Sequence, residues 1–257
     1  MLKSFLTAAP VLFALALAAQ AEDTAPLDFC PTQEATIAVV GDSLADGIWG
    51  AIYRDFLGCE TVSVLRVTAV SDGLTKSSPD EWKRRLDKAI GGAPVADLVL
   101  VQLGANDIKP VRDGNGRALF GDPAWDTAYV GRASALATQL AQDAQGLIWL
   151  GLPIVGDADR EADYRHVSTL QQQTVADVVK AAMNVSFLDI HDSSMFGTGG
   201  FTQNAEVDGA TVQLRANDKV HFTERGYDMI FGLVRPEVIA LLKAKDADAA
   251  LGSVALQ

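Results

Sequence analysis

Leu98-Val99-Leu100-Val101-Gln102-Leu103 runs directly into Gly104-Ala105-Asn106-Asp107. A stretch apolar at odd and even positions alike reads as a strand covered on both faces, as in a parallel sheet packed between helix layers. The flanking sequence supplies those layers. Upstream, Thr36 to Val40 is a buried strand, and Ala45 to Leu57 is a helix with Ile48, Ile52 and Phe56 on one face. Thr61 to Val67 is the next strand. Ser78-Pro79-Asp80-Glu81 then opens a helix with a capping box and a proline at its first position, ending at Gly91-Gly92. Downstream, Asp113-Gly114-Asn115-Gly116 is turn chemistry in a loop. Helix Trp125 to Ala141, strand Leu147 to Leu152, helix Tyr164 to Met183 and strand Ser186 to Ile190 follow in order. A Gly/Ser/Asp-rich region after His191 carries one short polar strand, Thr211 to Leu214. The last helix spans Glu224 to Leu242, with a frayed tail after Asp246. Strands alternating with helices predict an α/β protein with a parallel sheet of about five strands. No repeat and no linker divides residues 22–257, which read as one domain.

The first residues have a different character. Lys3, the apolar run Ala8 to Ala18 and Ala19-Gln20-Ala21 form the pattern of a signal peptide over residues 1–21. The expected mature chain begins near Glu22 and is periplasmic or secreted, with no integral membrane association. The net charge of -12 argues against nucleic acid and against an anionic membrane surface. Cys30 and Cys59 are the two cysteines, and an even count in an exported chain suggests that they form a disulfide; two free buried thiols are the alternative. No His/Cys cluster has metal-ligand spacing, and no glycine-rich phosphate cradle follows the first strand, so neither a metal nor another cofactor is expected.

In sheets of this kind ligands bind beyond the carboxyl ends of the strands. There the sequence places Asp42 and Ser43 after the first strand, Ser71-Asp72-Gly73 after the second and Asn106 and Asp107 after the third. Asn217-Asp218-Lys219-Val220-His221 precedes the last helix. A serine hydroxyl needs a positioned base to become a nucleophile, and His221 can take its proton and return it to a leaving group. Asp218 can hold the ring tautomer. The backbone N–H groups of Ser43 and Gly73 and the Asn106 amide are candidate donors to an oxyanion. By itself, each has a plainer reading: Ser43 as a helix cap, Asn106 and Asp107 as turn residues, Asp42 as a loop brace.

The blocks Gly41-Asp42-Ser43-Leu44, Gly73, Gly104-Ala105-Asn106-Asp107 and Asp218-Lys219-Val220-His221 resemble those of the SGNH/GDSL hydrolases, in order and on matching elements. The resemblance implies a flavodoxin-like three-layer α/β/α sandwich. It also implies Ser43 as nucleophile with Asp218 and His221 completing a triad, and Gly73 and Asn106 as oxyanion donors. Ser71-Asp72-Gly73-Leu74 departs from the longer Gly/Ser-rich run of many members. An α/β-hydrolase elbow is excluded, because Ala45 stands where glycine is required.

The expected activity is ester hydrolysis through an acyl-enzyme. Resemblance and compartment together favour O-acetyl or short acyl groups on an exported polysaccharide or peptidoglycan as the partner. The alternatives are a lipolytic esterase or thioesterase, an O-acyltransferase to glycan, and a non-catalytic acyl-glycan binder. Of the other histidines, His166 has nothing acidic in a fitting position along its helix and reads as a packing or surface residue. His191, beside Asp192, sits near enough to a strand end to be a lesser candidate. Trp49 reads as packing rather than pocket, and Asp113 to Phe120 as a solvated turn rather than a gate.

Overall fold

The computed structural model describes residues 29–91, 96–114, 116–179 and 184–254. The expected targeting segment, Asn115 and Met183 lie outside them. Five parallel strands form the central sheet: β1 (Ala35–Gly41), β2 (Val62–Thr68), β3 (Ala96–Gln102), β6 (Ala144–Leu150) and β7 (Val185–Leu188). Their spatial order is β2-β1-β3-β6-β7. Period-two alternation divides their side chains between two cores. Ala38, Val40, Val99 and Val101 face α2 (Pro79–Ile90), α3 (Pro123–Gln142) and α4 (Ala158–Val179), meeting Trp82, Leu86, Trp125, Leu136 and Val167. Ile37, Val39, Leu98 and Leu100 face α1 (Ser43–Asp55) and α5 (Glu224–Val254), meeting Ile48, Ile52, Ile230, Val234 and Val238. The result is a three-layer α/β/α sandwich.

The helix boundaries follow local chemistry. Asp42 caps α1, its side chain accepting from Leu44 N–H at 2.9 Å. Ser78 caps α2 through Glu81 N–H, and Gly91 ends it in the left-handed region at φ 70°. The chain leaves β1 toward β2 on one side and returns to β3 on the other, so the order reverses between β1 and β3. That switch point opens a crevice at their carboxyl ends.

Three expectations change. The turn at Asp113 to Gly116 is not in a plain loop: it joins two short antiparallel strands, β4 (Val111–Asp113) and β5 (Gly116–Ala118). The polar strand near Thr211 is β9 (Ala210–Gln213), paired with β8 (Asn204–Val207), which was not anticipated. Asp208 and Gly209 at their turn have φ 52° and 80°, the conformation of a tight hairpin. Finally, α5 does not fray after Asp246 but continues to Val254. Its late turns are held: Asp246 accepts from the backbone N–H groups of Thr32 and Gln33, and Lys245 donates to Glu34 O and Asp97. Cys30 and Cys59 are joined in a disulfide that ties the segment before β1 to the turn after α1.

Candidate active site

Gly41 ends β1 at φ 150°, and a Cβ there would lie 1.9 Å from Gln102 O, so only glycine fits this approach of β1 to β3. The next two residues become the cap and first residue of α1. Ser43 therefore stands at the crevice with an N–H that the helix itself leaves without an acceptor. His221 Nε2 lies 2.7 Å from Ser43 Oγ, across a sequence separation of 178 residues.

His221 comes from the segment Ala216–His221, closed by Arg215–Phe222 pairing and by Ala216 N–H donating to His221 O at 2.8 Å. Asp218 Oδ2 is 2.6 Å from His221 Nδ1, while Oδ1 accepts from Val220 N–H at 2.9 Å and His221 N–H at 3.0 Å. Burial works against ionisation of Asp218, but the Val220 N–H and the His221 ring and N–H hold its carboxyl down at about 2. An ionised Asp218 accepts a hydrogen bond from Nδ1–H, leaving the Nε2 lone pair for the serine hydroxyl.

Asn106 sits in the turn after β3, closed by Asp107 N–H donating to Gly104 O at 3.0 Å. Its Nδ2 is buried without an acceptor, an uncommon state for an amide donor. Asp42 is fully buried beside it; burial and the nearby Asp107 push its pKa up to about 7 against the pull of Leu44 N–H. Asn106 lies close enough to lower that value slightly, yet no hydrogen bond of normal geometry joins Nδ2 to Asp42 Oδ2.

The Gly73 N–H already has an acceptor within the chain. Its N–H donates to Asp72 Oδ1 at 2.8 Å, and Asp72 in turn accepts from Ser77 and Arg85. A Cβ on Gly73 would fall 2.3 Å from Asp107 Oδ1, so glycine is required for packing against that carboxylate. Asp107 accepts from Thr75 N–H and Oγ and from Tyr129 OH, bracing the loop after β2 against the turn after β3. Burial raises its pKa and the Thr75 and Leu74 N–H groups oppose the rise.

The remaining candidates are engaged by other partners. His191 is buried and lies between Glu161 at 2.5 Å and Asp192 at 2.8 Å. His166 does have an acid, Asp126 on α3, at 2.7 Å. Trp49 packs over β2, donating to Val64 O and lying under the Arg66 guanidinium. The β4–β5 hairpin is held by Arg132, which donates to Arg112 O. Sequence reasoning missed Arg215, fully buried behind the His221 turn. It also missed the Gly156 N–H that reaches Lys219 O from the loop after β6. Among the described residues, no group of three or more His, Cys, Asp or Glu could hold a metal ion. Nor is any helix among them long and apolar enough to cross a membrane.

Residues 36–237 match the family described as Protein of unknown function (DUF459). The chain belongs to the DUF459 family. Its fold is that of the SGNH/GDSL hydrolases. The structure of a lipase/acylhydrolase from Enterococcus faecalis superposes with a TM-score of 0.56 at 16% identity, covering 80% of this chain and 96% of that one. A carbohydrate esterase family 3 structure from Talaromyces cellulolyticus gives 0.54 at 14% identity, covering 82% and 99%. At such identities the likeness is one of architecture. No curated protein sequence matches the chain.

Proposed function

We propose that this DUF459 chain is a serine ester hydrolase acting through an acyl-enzyme. The observation that carries the reading is the unbroken Ser43–His221–Asp218 hydrogen-bond chain at the switch point of the sheet. In the first half-reaction His221 Nε2 takes the Ser43 proton as Oγ attacks the acyl carbonyl carbon. The oxyanion accepts from Ser43 N–H and Asn106 Nδ2, and from Gly73 N–H once that donor turns from Asp72 Oδ1. Collapse breaks the ester C–O bond, and the leaving alcohol takes the proton from His221. Water then repeats the sequence on the acyl-enzyme, releasing the acid and restoring the serine. No metal is required.

The substrate class proposed is O-acetyl or short acyl groups on a polysaccharide or peptidoglycan outside the cytoplasm. The partial exposure of His221, whose side chain is 35% accessible, lets a bulky carrier approach, and one structural neighbour is a carbohydrate esterase. Export is supported by the signal-like residues 1–21 and by the Cys30–Cys59 bridge. The test is a panel of aryl esters of increasing acyl length with an acetylated glycan, run on the protein and on Ser43→Ala. Steep acetyl preference, lost in Ser43→Ala with folding intact, is expected. Full activity in Ser43→Ala ends the nucleophile assignment, and preference for long chains replaces the glycan reading with a lipolytic one.

A further inference from the structure

Arg215 is fully buried, and its Nη2 donates to Val220 O at 2.8 Å while Nε and Nη1 have no acceptor. The guanidinium lies over Phe222 at 4.1 Å and Phe201 at 5.2 Å from the ring centroids. Burying a cation without a carboxylate partner is costly, and an apolar side chain would fill the space more cheaply. Its position suggests what the charge does. Arg215 pairs with Phe222 at the neck of the turn that carries Asp218 and His221, and its one bond grips the residue between them. Lys219 in that turn holds φ 62°, a conformation that needs support from its surroundings. The charged and titratable groups facing the guanidinium are Tyr227 from α5, Asp218 from the turn itself, and Tyr164 and Glu161 from α4. Burial pulls its pKa down to about 10, so it stays charged at neutral pH.

We propose that Arg215 is a positioning residue for the Ser43–His221–Asp218 chain, clamping the turn through Val220 and fixing a positive charge on its buried side. That charge attracts the Asp218 carboxylate, which the Val220 and His221 donors already hold ionised, and biases the turn against taking up a further proton in mild acid. The inference rests on the hydrolase reading.

The test is the rate at which a fluorophosphonate labels Ser43, followed against pH in the full chain. Arg215→Met is expected to label about 10- to 100-fold more slowly at neutral pH, as the turn loses its grip. The acid limb of its profile should move up by about half to one pH unit. Arg215→Lys, which keeps the charge but not the planar fork, should return the limb to its wild-type position while remaining slower. Wild-type labelling by Arg215→Met overturns the proposal, and so does slow labelling with an unmoved limb, which marks a packing residue. If circular dichroism shows Arg215→Met unfolded, Arg215→Gln is read by the same two criteria. Absence of labelling in the wild-type chain, or undiminished labelling in Ser43→Ala, overturns the hydrolase reading and this proposal with it.

Discussion

His221 and His191 each have a carboxylate on Nδ1, from Asp218 at 2.6 Å and from Asp192 at 2.8 Å. They differ at Nε2. His221 meets the Ser43 hydroxyl at 2.7 Å, whereas His191 meets a second carboxylate, Glu161, at 2.5 Å. A hydroxyl can yield a proton to the ring; an ionised carboxylate cannot. Exposure differs in the same sense, with side chains 35% and 6% accessible. Glu161 also accepts from Val155 N–H, and Ser194 Oγ joins Ile154 N–H to His191 O, so this cluster fastens the loop after β6. That loop supports the His221 turn through Gly156 N–H and Lys219 O. In the proposed mechanism one histidine moves protons, while the other holds the backbone beside it. What surrounds the two ring nitrogens separates them.

Exchanging alanine into the two positions is the hardest test of that contrast. His221→Ala is expected to lower kcat on a short aryl ester by about 10⁴-fold or more with unfolding unchanged. His191→Ala should lower it less than about 10-fold but cost about 1–3 kcal/mol in urea unfolding, because Glu161 loses a buried partner. Reversal of the two patterns would break the comparison. Asn106→Ala sharpens it on the acceptor side, with an expected loss of about 10²- to 10³-fold in kcat and little change in KM. An unaffected kcat would return Asn106 to the role of turn residue. The last test concerns Asp42, whose pKa rises from 3.8 to about 7 on folding. Between those values the folded chain keeps a proton that the unfolded chain has lost, so Asp42's contribution to stability falls as pH rises through the window. Asp218, held at about 2, acts in the opposite sense, its contribution being lost as pH falls from about 4 towards 2. Asp42→Asn should therefore gain stability over the wild type more at pH 8 than at pH 5. Equal differences in urea unfolding at the two pH values would refute this.

The alternation of strands and helices was legible because buried parallel strands are apolar at every position, as Leu98 to Leu103 is. The residues of the candidate site could be picked out from their places after strand ends and from the resemblance of their blocks to a known family, and the structure brings Ser43, His221 and Asp218 together. Features defined by long-range contact could not be read. His166 and Asp126 are on different helices, so helical spacing does not reveal them as a pair. Arg215 in a polar region gives no sign of burial, since loop arginines are ordinarily solvated. The engagement of the Gly73 N–H depends on the rotamer of the preceding aspartate, which sequence does not carry. The β8–β9 hairpin is another matter: Asp208-Gly209 is a strong hairpin signal, and only the polarity of the flanking residues hid it.

The segment from Cys30 to Glu34 is moored where the strands begin: by the disulfide to Cys59, by Asp246 at Thr32 and Gln33, and by Lys245 at Glu34 O. From there β1 carries the chain across the sheet to Ser43, roughly 20 Å on, at the rise of an extended strand. A surface or carrier coupled ahead of Phe29 thus attaches at the edge opposite the crevice. An immobilised preparation linked in this way would keep its working face turned toward a bulky polymer in solution.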